Sequence, residues 1–266
     1  MSISVSTIMY KPYQLDSVWP LLEAVGDEKV GIEVFPFHHL TYFEKVLERN
    51  MSRLKDRPIT VHCPYFSTDT CYPVGTLEYA LNMEYYEKVF EIAQKLNAEY
   101  VVHHFYNFHF AAEEREEKKK IAMENLVQFK ELAKKYGVTL ALENTETMQN
   151  PAENMFTQEE FINAVRAQED CKVLIDIGHV SCAGWNLSEV IYELKDKIVG
   201  YHLHNNDGSR DSHKRIRDGV LDMEQFVKDV REYTPNADLT IEYEMSFNAT
   251  EGVCEDIAYL KEAGLG

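Results

Sequence analysis

A chain of 266 residues with 45% hydrophobic side chains can bury a sizeable core, and about 250 residues is the usual size of a single α/β barrel. Its 45 acidic against 27 basic residues leave a formal net charge of -18, which argues against nucleic acid as a partner. Five cysteines (Cys63, Cys71, Cys171, Cys182, Cys254) are an odd number without a compact spacing, so they read as reduced thiols of a cytoplasmic protein and not as a disulfide framework.

Met1 to Ile8 alternates like a strand and lacks the basic start and apolar core of a signal peptide. No apolar run approaches the roughly 20 residues that span a bilayer, so no membrane partner is expected. Strands are predicted near 3–8, 30–35, 59–63, 100–105, 139–144, 173–177, 198–204 and 239–244, each short and apolar as strands buried on both faces are. Amphipathic helical stretches lie between them, clearest at Leu77 to Leu96, Glu113 to Tyr136 and Met223 to Tyr233. Gly137 and Gly264 read as C-terminal helix caps, Thr157 with Glu160 as a capping box, and Asn186 as a further N-terminus. The charged run Glu113 to Lys120 is a solvated helix face, with acids ahead of bases as the macrodipole favours. Eight strands alternating with helices, with no linker and no glycine-rich first turn, predict one (β/α)₈ TIM barrel over residues 1–266 and no nucleotide cofactor.

The chemistry sits at the strand ends. His62, His103–His104, Glu143, Asp176 followed by His179, His202–Leu203–His204, and Glu242 each close an apolar run, where side chains of a barrel point into the ligand crevice. Alternation puts His202 and His204 on one face, and Gly178 permits a tight turn that returns His179 over the mouth. Asp211 and His213 lie in the polar loop from Asn205 to Gly219. Imidazole and carboxylate donors together suit manganese, zinc, cobalt or iron, whereas calcium and magnesium favour oxygen alone. Burying Glu143, Asp176 and Glu242 without a partner costs several kcal/mol, and few Lys or Arg residues stand at these strand ends, so a divalent metal ion is the expected compensating charge.

Plainer readings compete at single residues. His103 and His104 cannot both face the barrel interior, since neighbours on a strand point opposite ways; one of them is structural. Glu33 reads equally as a substrate contact or an internal ion pair, and His38, His39 and His109 as surface groups or substrate contacts. Trp185 and Phe66 read as loop packing ahead of a ligand wall, and Cys63 and Cys182 as buried fillers.

His62-Cys63-Pro64-Tyr65, Glu143-Asn144-Thr145, Asp176-Ile177-Gly178-His179, His202-Leu203-His204-Asn205-Asn206-Asp207 and Asp211-Ser212-His213, in that order, resemble the xylose isomerase-like TIM-barrel superfamily. That group includes sugar and sugar-phosphate isomerases and epimerases, inosose dehydratases and endonuclease IV. In the isomerase and epimerase branches, the resemblance implies one divalent metal on Glu143, Asp176, His202 and Glu242, with the two glutamates also moving protons. In endonuclease IV, three zinc ions use further residues, matched here by His62, His103 or His104, His179, Asp211 and His213.

Departures follow His103–His104, which Phe105–Tyr106 succeed, and His202, where the run is longer than in endonuclease IV. With the net charge of -18, these favour a small carbohydrate over a phosphodiester. The expectation is a metal-dependent isomerase or epimerase acting on a sugar, sugar phosphate or keto-polyol through a metal-stabilised enediolate, with His62, His179, His204 and Glu33 as substrate contacts. Rivals are a zinc-dependent phosphodiesterase, a dehydratase using the same enolate chemistry, and a silent barrel that only binds a sugar or a partner. Homo-oligomerisation is left open by the sequence.

Overall fold

Apolar runs of three to six residues pair in sequence order in the computed structural model, which describes every residue except Ser246 and Asn248. The strands are β1 (Ile3–Ser6), β2 (Gly31–Val34), β3 (Ile59–Val61), β4 (Val101–His104), β5 (Leu140–Glu143), β6 (Lys172–Asp176), β7 (Ile198–Leu203) and β8 (Asp238–Ile241). All neighbours are parallel and β8 closes on β1, Ile3 lying opposite Leu239. The expected TIM barrel is formed, with each predicted strand present. Several end one or two residues early, so His62 and Glu242 stand just past the last paired residue, free to lean over the mouth.

Helices α1 (Val18–Val25), α2 (Phe43–Leu54), α3 (Leu77–Leu96), α4 (Arg115–Tyr136), α5 (Gln158–Arg166), α6 (Ile177–Cys182), α7 (Leu187–Leu194), α8 (Met223–Tyr233) and α9 (Thr250–Glu262) surround the barrel. Their buried faces pack on the outward residues of the strands to form the main core. The start of α4 falls at Arg115 because Ala112–Glu114 makes a 3₁₀ turn first. The punctuation is as read: Gly137 ends α4 at φ +68°, and the Thr157 hydroxyl and Glu160 carboxylate each accept the other's backbone N–H at the start of α5. Asn186 caps α7 by accepting the Glu189 N–H. No helix among the described residues is long and apolar enough to cross a membrane.

Inside the barrel, Tyr100, Val102, Ala141 and Leu174 form a separate apolar plug. Above it, register does the positioning: His104 pairs with Glu143 across β4–β5, and Asp176 with His202 across β6–β7. Residues paired on adjacent parallel strands share a face, so each histidine sits beside a carboxylate.

Candidate active site

The deepest polar layer gathers around His202. Its Nε2 donates to Glu33 Oε2 (3.0 Å), while its Nδ1 lies 3.1 Å from Glu143 Oε1 and 3.2 Å from Glu242 Oε2. Burial disfavours the imidazolium, but Glu242, Glu33 and Glu143 outweigh it and hold the His202 pKa well above its ordinary value. Burial likewise disfavours the Glu143 carboxylate, yet His202 and His104 keep its pKa well below the usual range. For Glu242 burial wins, pushing it up to about 7.

Two histidine groups flank this centre. On one side His104 Nε2 lies 2.8 Å from Glu143 Oε2 and His62 Nε2 lies 3.7 Å from the same oxygen. Burial pushes His62 down to about 4, a neutral imidazole whose Nδ1 meets the Cys63 carbonyl at 2.9 Å. On the other side Asp211 Oδ2 lies 3.1 Å from His213 Nε2 and 3.4 Å from His179 Nε2. Asp176 joins the groups: Oδ1 accepts the His179 backbone N–H at 2.7 Å, capping α6, and Oδ2 meets His204 Nε2 at 2.9 Å. Gly178 is required here, because a Cβ would collide with the His204 ring.

The donor chemistry fits a divalent ion. Glu143, Asp176 and His202 offer atoms all within 4.8 Å of one another, as do Asp176, His204 and Glu242, and His179, His204, Asp211 and His213. Buried carboxylates at this density need cations, and imidazole with carboxylate oxygen is the set that zinc, manganese, iron and cobalt accept.

Above this floor opens a cavity of about 420 Å³, whose lining includes His62, His104, Glu143, His179, Asp211, His213 and Glu242 together with Tyr65, Tyr106, Asn107, His109, Thr145, Thr147, Met148, Ser209 and Arg210. Three sequence expectations are corrected. His104 faces the cavity and His103 does not: the His103 ring lies on the outer face against Phe129, its Nδ1 2.9 Å from the Tyr86 hydroxyl, and burial pushes it down to about 3. Glu33 is no substrate contact, since it is fully buried under His202 and takes a 3.3 Å bond from Thr60. His204 also stands off the cavity, sealed by the His213 ring stacked on it at 3.8 Å.

His109 lines the cavity whereas His38 and His39 do not. Phe66 stacks on Phe37 and Trp185 packs on Phe161, as loop packing requires. Of the site residues to which sequence reading gives no role, Asn144 exchanges side-chain bonds with the Asp176 backbone and so sets the β5–β6 rim, and the Ser6 hydroxyl lies 3.4 Å from Glu242. Neither polar residue carries a periodic or charge signal.

The two faces of β4 give a test. His103→Leu strands the Tyr86 hydroxyl and lowers stability by about 2 kcal/mol without changing metal content. His104→Leu leaves the Tyr86 bond intact and instead removes the 2.8 Å contact that orients Glu143, lowering metal affinity, which denaturant titration beside elemental analysis will read.

A probable L-ribulose-5-phosphate 3-epimerase of Mycoplasma pneumoniae is similar to this chain, 24% identical over 180 residues, which cover 67% of this chain and 57% of that protein. Among solved structures, a D-tagatose 3-epimerase-like protein superposes with a TM-score of 0.79 at 20% identity, over 99% of this chain and 97% of that one. A Thermus thermophilus protein soaked with zinc chloride gives 0.72 at 20% identity, over 97% and 98%. At these identities the superpositions speak to the fold. The xylose isomerase-like TIM barrel family model matches residues 30–263, the stretch from just before β2 through α9 that carries every strand-end donor except Ser6, and the chain belongs to that family.

Proposed function

We propose that the protein is a divalent-metal-dependent isomerase or epimerase acting on a sugar, sugar phosphate or related keto-polyol. One observation carries the reading: Glu143 and Glu242 approach the same His202 nitrogen, at 3.1 and 3.2 Å, on the floor of an open cavity. Two carboxylates on either side of one point are what removal and return of a carbon-bound proton needs. Glu143, Asp176, His202 and Glu242 would hold the ion. When bound, it supplies Lewis acidity toward the substrate oxygens as the proton leaves carbon.

Glu143 and Glu242 take and return that proton, while His62 and His179, which line the cavity, orient substrate hydroxyls. The epimerase names among the similar proteins support the isomerase or epimerase reading, while these residue roles rest on the geometry. The test is solvent deuterium exchange into a panel of ketoses and ketose phosphates by the manganese-, cobalt-, iron- or zinc-loaded protein. Exchange lost with chelator and restored by one ion is expected; no exchange with any ketose rejects the reading.

A second reading has its own support. The groups of His62, His104 and Glu143 and of His179, Asp211 and His213 offer ligands beyond a single ion, which favours a two- or three-ion hydrolase of phosphate esters. Metal stoichiometry separates the two. About one ion per chain at full activity supports the epimerase, and about three zinc ions with phosphodiester cleavage supports the hydrolase.

A further inference from the structure

The cavity lining holds one permanently charged cation. All its carboxylates, Glu143, Asp211 and Glu242, lie at the floor among the histidines, and of all the lining residues only Arg210 carries a guanidinium or an ammonium. In so acidic a chain most arginines find a carboxylate: Arg49 with Asp16, Arg53 with Glu23, Arg115 with Glu160, Arg166 with Glu193, and Arg215 and Arg217 with Asp256. Among the described residues Arg210 has no such partner. Its neighbour Asp211 turns its own carboxylate toward His179 and His213.

The segment that presents Arg210 is built and braced. Asp207 Oδ1 accepts the Ser209 N–H at 2.9 Å, and Gly208 takes the left-handed φ of +79° that the turn needs. The Gly208 N–H donates to Asn206 Oδ1 at 2.8 Å, and Asn206 Nδ2 donates to the Gly178 carbonyl at 2.8 Å. From the facing loop, Gln149 Nε2 donates to the Gly208 carbonyl at 2.9 Å. These bonds brace the turn that places Arg210, an exposed residue, in the cavity lining. Ser209 and, from the loop after β4, His109 also line it, which adds hydrogen-bond donors.

We propose that Arg210 is the specificity residue for an anionic group, a phosphate monoester or a carboxylate, on the part of the substrate remote from the reacting carbons. The inference rests on the cavity being the substrate site of the proposed isomerase. It adds that the substrate is charged at one end: cation-seeking oxygens meet the floor, and the anion meets a planar fork of donors suited to bidentate contact.

Calorimetric titration with three unreactive probes, ribitol, ribitol 5-phosphate and ribonate, tests this on the metal-loaded protein and its Arg210→Ala and Arg210→Lys variants. At least one anionic probe binds about 10- to 100-fold more tightly than ribitol to the unaltered protein. That preference vanishes in Arg210→Ala, is partly kept in Arg210→Lys, and ribitol binding is unchanged in both. A preference for ribitol 5-phosphate alone assigns a sugar phosphate, and one for ribonate a sugar acid. Equal binding of all three probes, or an anion preference untouched by Arg210→Ala, overturns the proposal. Because binding is read without turnover, a preference lost in Arg210→Ala beside an absence of ketose exchange would sustain the subsite and reject the isomerase; exchange without that preference would do the opposite.

Discussion

Glu242→Gln stops exchange of the substrate's carbon-bound hydrogen with solvent, lowering it by about 10²- to 10⁴-fold per bound ion, the range that loss of a positioned general base produces. The fold tolerates the change. Glu242 stands just beyond β8, its backbone N–H donates to the Leu203 carbonyl at 3.2 Å and its carbonyl meets His213 Nδ1 at 2.8 Å, all through atoms that glutamine retains. The side chain also offers the same shape to Ser6 and His202. What glutamine lacks is a basic oxygen, so proton transfer fails while substrate still docks, and the loss falls on kcat more than on KM. Metal content measured on the same sample separates a lost base from a lost ligand, because exchange is scored per ion. Exchange within threefold of the parent protein would remove Glu242 from proton transfer and leave Glu143 as the sole candidate.

Why some of this site is legible in the sequence and some is not has a physical basis. A parallel strand buried on both faces is an apolar run, so a histidine or carboxylate at its end stands out; that is how His62, Glu143, Asp176, His202 and Glu242 are read directly. Two cases turn on depth or direction. Glu33 and His202 carry the same signature, but Glu33 lies within β2 and one layer lower, beneath the ring it pairs with. His103 and His104 are adjacent, and only the strand's phase decides which faces inward; Val102 and His104 point in, His103 out toward Tyr86. Arg210, Asn144 and Ser6 have no pattern to betray them. Their placement comes from contacts between distant segments that form only when the barrel closes.

The same holds for Glu146, a loop carboxylate that no sequence pattern singles out. It is fully buried: Oε1 accepts the Phe156 N–H at 3.2 Å, and Oε2 has no hydrogen-bond partner among the described residues. Burial pushes the carboxyl up to about 8, against the pull of the Phe156 N–H and the more distant His179. In the unfolded chain it titrates near 4.5. Below that pH both states hold the proton and this stabilising contribution is complete. As pH rises from about 4.5 to about 8 the unfolded chain ionises while the folded one does not, so stability falls, levelling off above the folded value.

At about 1.4 kcal/mol per pH unit, the loss amounts to roughly 3–5 kcal/mol across the window. Glu146→Gln stays neutral throughout and keeps an oxygen for the Phe156 N–H. It therefore matches the parent protein near pH 5 and exceeds it by about 3 kcal/mol near pH 8.5, read from denaturant midpoints at equal metal loading. Other groups titrate in both proteins and cancel in the difference. Parallel stability curves across that range would mean that Glu146 ionises freely when folded, and with it would go the account of a protonated acid buried in the loop after β5.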